Sequence, residues 1–187
     1  MNPGPKWRAI LPVAVVLLLL FPFYSASASK NVRKLALRDL DGNKVRFSGY
    51  QGQILVLNFW ATWCGPCKEE LPRLGQLAQE YADRHVAFVL ASIDEQKKLP
   101  LVRDFISQRK VGLPVLVGAS TDMLNELSGT YVVPATLIID QNGEIVRAIN
   151  GEAREEDVKE AVDWLLNGKK GVPPADHIRR YQAPFRF

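Results

Sequence analysis

The segment from Gln53 to Glu70 constrains the fold more than any other part of this chain of 187 residues. Gln53–Trp60 (QILVLNFW) is almost continuously apolar, as in a central strand that is covered on both faces. After three further residues, apolar side chains recur at helical spacing, which predicts a helix from about Cys64 to Ala82. These apolar residues are Leu71, Leu74, Leu77, Ala78 and Tyr81. The pattern therefore predicts a strand that passes directly into a helix, with two cysteines where the helix begins.

The two cysteines of this segment, Cys64 and Cys67, are the only ones in the chain. At a helix N-terminus, free N–H groups and the positive end of the helix dipole favour the thiolate form of Cys64. Cys67 follows by nearly one turn, so its sulfur can approach that of Cys64. Pro66 is tolerated there because its missing N–H would have no helical partner in the first turn. The arrangement suits reversible thiol–disulfide exchange, in which one thiolate attacks and the second resolves the mixed disulfide.

Other roles for this cysteine pair agree less well with the sequence. A disulfide that closes so short a loop stabilises a protein only weakly. A structural zinc site needs about four ligands, and the chain offers only His85 and His177 besides the cysteines. Attachment of c-type haem needs a histidine directly after the second cysteine, where this chain has Lys68. We therefore predict neither a metal nor a cofactor.

The N-terminus is predicted to be a targeting segment over residues 1–28. Lys6 and Arg8 precede an uncharged run of 21 residues, Ala9–Ser29, that ends in an A-x-A pattern at Ala26–Ala28. A buried core helix is disfavoured because the run has no polar face. Small residues favour a cleaved signal peptide, but about 20 apolar residues also suffice for a membrane anchor. Either interpretation places the domain that follows outside the cytoplasm.

The charge distribution argues against nucleic-acid binding. The net charge of +4 arises at the two ends, since residues 1–30 contribute +3, residues 168–187 contribute +4 and residues 31–167 carry −3. A nucleic-acid-binding protein concentrates lysine and arginine on its folded part.

The rest of the chain alternates between strand and helix patterns, which predicts an α/β domain over residues 31–167, with a mixed sheet flanked by helices. Asp41-Gly42 indicates an N-terminal hairpin with Val45–Phe47 as its second strand, and Asn142-Gly143 indicates another hairpin. The expected elements are strands at Val86–Ile93, Pro114–Val117, Thr136–Asp140 and Glu144–Ile149, and helices at Leu99–Arg109, Thr121–Ser128 and Arg154–Leu166.

Residues 168–187 lose this periodicity and contain three prolines. We expect a loosely ordered basic tail. The alternative is a basic, aromatic docking segment formed by Arg179, Arg180, Tyr181, Phe185 and Phe187.

The string LNFWATWCGPCKEELP resembles the extracytoplasmic branch of the thioredoxin superfamily that includes the TlpA, ResA and CcmG (DsbE) proteins. WCGPC is the thioredoxin active-site motif, and the resemblance extends over roughly residues 31–167. It implies a thioredoxin-like fold with a short N-terminal hairpin and an inserted strand–helix element. The insertion is expected within residues 95–130, because Cys64 and Pro134 are 70 residues apart, more than in a minimal thioredoxin.

The resemblance also assigns residues around the cysteines. It implies a cis peptide bond before Pro134, although most X–Pro bonds are trans and an ordinary proline could open a strand here. Backbone next to this proline pairs with substrate in such folds, so Val133 and Pro134 are expected substrate contacts. Trp63, Gly65 and Pro66 join them in the predicted site. Trp60 and Trp63 resemble the flanking aromatic residues of the family, a role that is compatible with packing.

A third expected catalytic residue is Glu70. Cytoplasmic thioredoxins carry a buried aspartate where this chain has Asn58, and an amide cannot transfer protons in that way. The resemblance to ResA-type proteins assigns the acid near the cysteines to Glu70, three residues after Cys67. The alternative is a solvated carboxylate on the helix surface.

The Gly-Pro pair between the cysteines resembles reducing members of the superfamily, so the predicted activity is reduction of protein disulfides. The resemblance implies a membrane electron donor of the CcdA/DsbD type and a place in cytochrome c maturation.

Three rival functions are disfavoured. A peroxiredoxin has Thr or Ser three residues before the attacking cysteine, where this chain has Ala61. A copper-handling protein of the Sco type needs C-x-x-x-C and a distant histidine. A redox-inert adaptor would not need both cysteines.

Overall fold

Strand β3 (Ile54–Trp60) lies inside an eight-stranded mixed sheet, and all seven of its residues are buried. The structure is a computed structural model that describes Met1 and residues 30–178. Within these residues the sheet order is β2-β1-β5-β4-β3-β6-β7-β8. The other strands are β1 (Ala36–Asp39), β2 (Lys44–Arg46), β4 (Val86–Ser92), β5 (Val115–Val117), β6 (Ala135–Ile139), β7 (Ile145–Asn150) and β8 (His177–Ile178).

Four α-helices of the described residues flank this sheet: α1 (Gly65–Glu80), α2 (Leu99–Arg109), α3 (Thr121–Ser128) and α4 (Glu155–Leu166). Short 3-10 helices occur at Phe47–Tyr50 and Gln96–Lys98. Every strand and helix predicted with both bounds is present, with ends within two residues of the prediction. The expected insertion region between residues 95 and 130 contains α2, β5 and α3. The fold is thioredoxin-like, with an N-terminal hairpin formed by β1 and β2.

The predicted turn at Asn142-Gly143 depends on the absence of a side chain at Gly143. This residue has φ +80°, and a Cβ atom there would lie 2.7 Å from Cγ of Arg33. The Val32 N–H donates to the Gly143 carbonyl, and the Ile145 N–H donates to the Lys30 carbonyl. The β6–β7 turn is thus fastened to the first described residues of the domain.

Strand register brings the two halves of the predicted site together. Strand β6 is antiparallel to β3, and Ala135 pairs with Phe59. Pro134 precedes Ala135, and the turn of residues 61–64 follows Trp60. Pro134 and this turn therefore lie at the same end of the sheet, although 70 residues separate Cys64 from Pro134 along the chain.

The first part of the expected C-terminal tail, residues 168–178, packs against the sheet. Lys169 pairs with the buried Asp140 at 2.7 Å, and the Ala148 N–H donates to the Asp176 carboxylate at 2.7 Å. Strand β8 then pairs in parallel with β7. The sequence pattern does not predict these contacts, because they are formed by two polar side chains and by a strand of only two residues. Residues 179–187, with the proposed docking side chains, lie outside the described residues.

None of the helices in residues 30–178 combines the length and apolar character that a bilayer crossing requires. The predicted signal or anchor segment lies outside the described residues.

The central strand leads to a prediction about stability. Leu57 is fully buried in β3, whereas Leu101 on α2 is 55% exposed. Leu57→Ala should lower the free energy of unfolding by about 3 kcal/mol, because it removes buried methyl groups and leaves a cavity. Leu101→Ala, the same change at an exposed site, should cost less than about 0.5 kcal/mol. Urea denaturation followed by circular dichroism measures both values, and equal losses would contradict the central position of β3.

Candidate active site

The sulfurs of Cys64 and Cys67 are joined by a disulfide at the start of α1. Cys64 is the N-cap residue: its backbone is extended, and its sulfur accepts a hydrogen bond from the Cys67 N–H at 3.2 Å. Cys64 is 4% exposed, whereas Cys67 is completely buried. Of the two residues only Cys64 keeps any exposed surface, and the predicted order of attack by Cys64 and resolution by Cys67 is consistent with this difference.

The peptide bond between Val133 and Pro134 is cis, as the resemblance implied. Both residues are buried at the end of the sheet that carries the cysteines. The Pro134 carbonyl accepts from the Gly151 N–H at 2.9 Å. Within the described residues, neither the N–H nor the carbonyl of Val133 has a hydrogen-bond partner. The backbone of Val133 therefore offers one donor and one acceptor that an added strand could pair with.

Exposed apolar side chains occur on the two loops at this end of the sheet. Trp63 is 61% exposed, Tyr131 59% and Val132 65%. We call these three residues the apolar rim. Gly65 is also exposed and Pro66 partly so, whereas Trp60 is buried, with its ring 5.1 Å from that of Phe105. The sequence predicted a role for Trp63 but not for Tyr131 or Val132. Apolar residues in this position could equally be buried, and the sequence gives no sign that these two are exposed.

Glu70 is fully buried, contrary to the alternative of a solvated surface carboxylate. Its Oε1 accepts from the Ala153 N–H at 3.0 Å and from the Thr136 hydroxyl at 3.2 Å. Thr136 Oγ1 in turn accepts from the Asn58 amide at 2.9 Å. The network connects α1, β3, β6 and the segment before α4. Thr136 and Ala153 were not singled out from the sequence, because only the strand register brings them to Glu70.

Burial raises the pKa of Glu70 from 4.5 to about 7, although the bonds from Ala153 and Thr136 oppose this rise. Desolvation penalises the carboxylate more than the hydrogen bonds stabilise it. Oε2 of Glu70 and Oδ1 of Asn58 have no hydrogen-bond partner among the described residues. Near neutral pH this carboxyl group can therefore take up or release a proton, three residues after Cys67 on the same helix.

Neither histidine lies on an element next to the cysteine motif. His85 directly precedes β4, and its carbonyl accepts from the Ile54 N–H at the opposite end of the sheet. His177 lies on strand β8, three strands from β3 in the sheet. Among the described residues, no group of three or more His, Cys, Asp or Glu side chains could hold a metal ion.

The family model described as AhpC/TSA matches residues 28–148. The chain belongs to this family. It is 31% identical over 133 residues to the thiol-disulfide oxidoreductase ResA of Bacillus anthracis, covering 70% of this chain and 73% of that protein. The chain is a thiol–disulfide oxidoreductase similar to the TlpA, ResA and CcmG proteins.

Solved structures agree on the fold of this AhpC/TSA family member. A thioredoxin-family thiol:disulfide interchange protein from Chlorobium tepidum TLS is 26% identical, with a TM-score of 0.61 and coverage of 74% of this chain and 97% of that one. A second structure from Chlorobium tepidum, assigned as DsbE, has a TM-score of 0.65 at 24% identity and covers 74% of this chain and 96% of that one.

The raised pKa of Glu70 predicts how stability depends on pH. The unfolded chain releases this proton near the ordinary value of 4.5, whereas the folded protein holds it up to about 7. Stability should therefore fall as pH rises from about 4.5 to about 7 and level off above it. Glu70→Gln should lack this fall and exceed the wild type by up to about 3 kcal/mol near pH 8.

Urea denaturation of the oxidised protein at several pH values measures the effect. Glu69→Gln, which changes an exposed carboxylate on the same helix, is the matched control and should behave like the wild type. If Glu69→Gln flattened the pH dependence as much as Glu70→Gln, the assignment to Glu70 would be wrong.

Proposed function

We propose that this protein reduces disulfides of client proteins outside the cytoplasm. The observation that carries the proposal is the position of Cys64, at a helix N-terminus, slightly more exposed than Cys67 and at the end of the sheet that presents the apolar rim. A client disulfide needs access to one sulfur, a second sulfur within reach, and a surface that accepts its polypeptide. The Gly-Pro pair between the cysteines supports the reducing direction.

In the proposed reaction, the thiolate of Cys64 attacks one sulfur of a client disulfide. The S–S bond of the client breaks, and its other sulfur leaves as a thiolate. Cys67 then loses its proton and attacks Cys64, which forms the Cys64–Cys67 disulfide and releases the second client sulfur as a thiolate. Two electrons pass from the dithiol to the client in this exchange. Renewed activity requires a donor that returns two electrons to the pair.

Glu70 is the proposed acid–base group of this cycle. It lies three residues after Cys67, on the same face of α1, and its pKa of about 7 allows it to accept the Cys67 proton near neutral pH. Its bonds from Ala153 and Thr136 hold the carboxyl group in place.

Val133, Pro134, Trp63, Gly65 and Pro66 form the proposed client-binding surface. The unpaired N–H and carbonyl of Val133 can bond with an extended client segment, as in strand addition to a sheet edge. The apolar rim then contacts client side chains on either side of the disulfide.

The proposal extends to where the protein is located and to the proteins with which it exchanges electrons. Residues 1–28 direct export or retain the chain at the membrane, residues 31–167 form the redox domain, and residues 168–187 are a basic C-terminal segment. An exported reductase needs its own electron supply, so we propose a membrane donor of the CcdA/DsbD type. Apocytochrome c is the proposed client, in cytochrome c maturation, because the chain is similar to ResA and CcmG proteins.

Exchange activity gives a direct prediction. With dithiothreitol as electron source, the wild type should accelerate insulin reduction, and Cys64→Ser should reduce the rate to that of a double-serine variant. Equilibration with glutathione should give a reduction potential well below the value of about −120 mV typical of the strong oxidant DsbA. Insulin reduction no faster than with the double-serine variant would contradict the activity, and a potential near that of DsbA would contradict only its direction.

Client identity and location can be tested together. Cys67→Ala cannot resolve the mixed disulfide, so in the native host it should accumulate covalently bound clients that mass spectrometry identifies. Cys64→Ala/Cys67→Ala should trap none. Cell fractionation and the mass of the mature N-terminus report whether residues 1–28 are removed. Clients that are exclusively cytoplasmic would refute export.

A further inference from the structure

The turn between β3 and α1 has a side-chain anchor outside the cysteine motif. Asp94 lies two residues after β4 and is 6% exposed. Its Oδ2 accepts from the Thr62 N–H at 2.8 Å, and its Oδ1 accepts from the Thr62 hydroxyl at 2.8 Å. The Ser92 hydroxyl donates to Oδ2 at 2.9 Å and fixes the carboxylate in turn.

We propose that Asp94 is a positioning residue, which holds the turn of residues 61–64 so that Trp63 stands exposed beside Cys64 for client binding. The inference rests on the proposed client-binding surface and adds a residue that no motif of the active site contains. Asp94 does not touch the sulfurs, and it acts through Thr62.

Few other hydrogen bonds hold this turn. Within the turn, the Cys64 N–H donates to the Ala61 carbonyl at 3.1 Å. Directly after β4, the Ile93 N–H donates to the Trp60 carbonyl at 2.9 Å. For residues 61–63, the hydrogen bonds to described residues outside the turn are the two from Thr62 to Asp94.

Thr62 is bound at two points, through its backbone and through its side chain. Two hydrogen bonds fix the orientation of Thr62 as well as its distance from Asp94. Hydrogen bonds to a carboxylate are also stronger than those between neutral groups. Trp63 is the next residue and is 61% exposed. Without the bonds to Asp94, the apolar side chain of Trp63 would be free to bury itself against nearby apolar surface. A client would then have to displace it before binding.

Client binding and sulfur chemistry can be separated by the size of the substrate. A small disulfide reaches Cys64 without using the apolar rim, whereas a protein disulfide brings its polypeptide onto that surface. A positioning role for Asp94 should therefore change the KM for a protein client and leave exchange with a small disulfide nearly unchanged. A general loss of folding would lower both activities together.

The hairpin supplies a matched control in Asp39. Its Oδ1 accepts from the N–H groups of Asp41 and Asn43, at 2.9 and 2.8 Å, and its Oδ2 accepts from the Asn43 side chain. Asp39→Ala thus removes a carboxylate that accepts a similar set of hydrogen bonds from a turn that does not carry the cysteines.

The test uses the full-length protein, with insulin as the protein client and 5,5′-dithiobis(2-nitrobenzoate) as the small disulfide. Asp94→Ala should raise the KM for insulin about tenfold, because two hydrogen bonds to a charged group are lost. Its kcat and its rate with the small disulfide should stay within about twofold of the wild type. Asp94→Asn should restore most of the KM, because the amide can accept from the Thr62 N–H and donate to the Thr62 hydroxyl.

Thr62→Ala keeps Asp94 and its bond to the backbone, so it should raise the KM by only about threefold and remains informative if Asp94→Ala fails to fold. Adding it to Asp94→Ala should cause no further increase, since both changes break the same contact. An unchanged KM in Asp94→Ala or in Thr62→Ala, parallel losses with insulin and the small disulfide, or an equal effect of Asp39→Ala would overturn the inference. Failure of the wild type to reduce insulin would instead refute the proposed function.

Discussion

The burial of strand β3 determines where the reactive sulfurs lie. Its seven side chains are buried, and it pairs with β4 on one side and β6 on the other, so it cannot shift along the sheet without moving its neighbours. Helix α1 begins five residues after the strand ends, which fixes the position of Cys64 relative to the sheet. The same pairing with β6 brings Pro134 to the cysteines. Rigid packing thus places both halves of the site, which two loops alone would hold less closely.

Glu70 places a buried carboxyl group of raised pKa near the cysteine motif from a helix rather than from the central strand. A carboxylate at the position of Asn58 would be a buried charge on β3, whereas Asn58 is neutral and donates to Thr136. Glu70 reaches the same buried region from α1 and accepts from Thr136 and Ala153. The desolvation that raises its pKa is therefore also what makes its proton available near neutral pH.

The parts of this fold that follow from local pattern were predictable from the sequence. Periodicity located the strands and helices to within two residues, and the positions of Asn142-Gly143 and Cys64 followed from turn and capping rules. The roles of Asp94, Thr136 and Ala153 were not predictable, because each depends on which strands and loops become neighbours. The exposure of Tyr131 and the packing of Asp176 against β7 have the same origin. The pairing between strands that are distant along the chain cannot be deduced from any short segment of the sequence.

Both ends of the described domain are fastened to strand β7, but at opposite ends of it. Lys30 bonds with Ile145, where the strand begins, and Ile178 pairs with Asn150, where it finishes. Because β7 is antiparallel to β6, and β6 to β3, the chain enters the domain at the end remote from Cys64 and leaves β8 at the end that carries it. Lys30 is thus separated from the end of the sheet that carries the cysteines by the length of β3, about 20 Å. The point where the chain enters the domain and the cysteine pair therefore occupy opposite edges of the molecule, with the central strands between them.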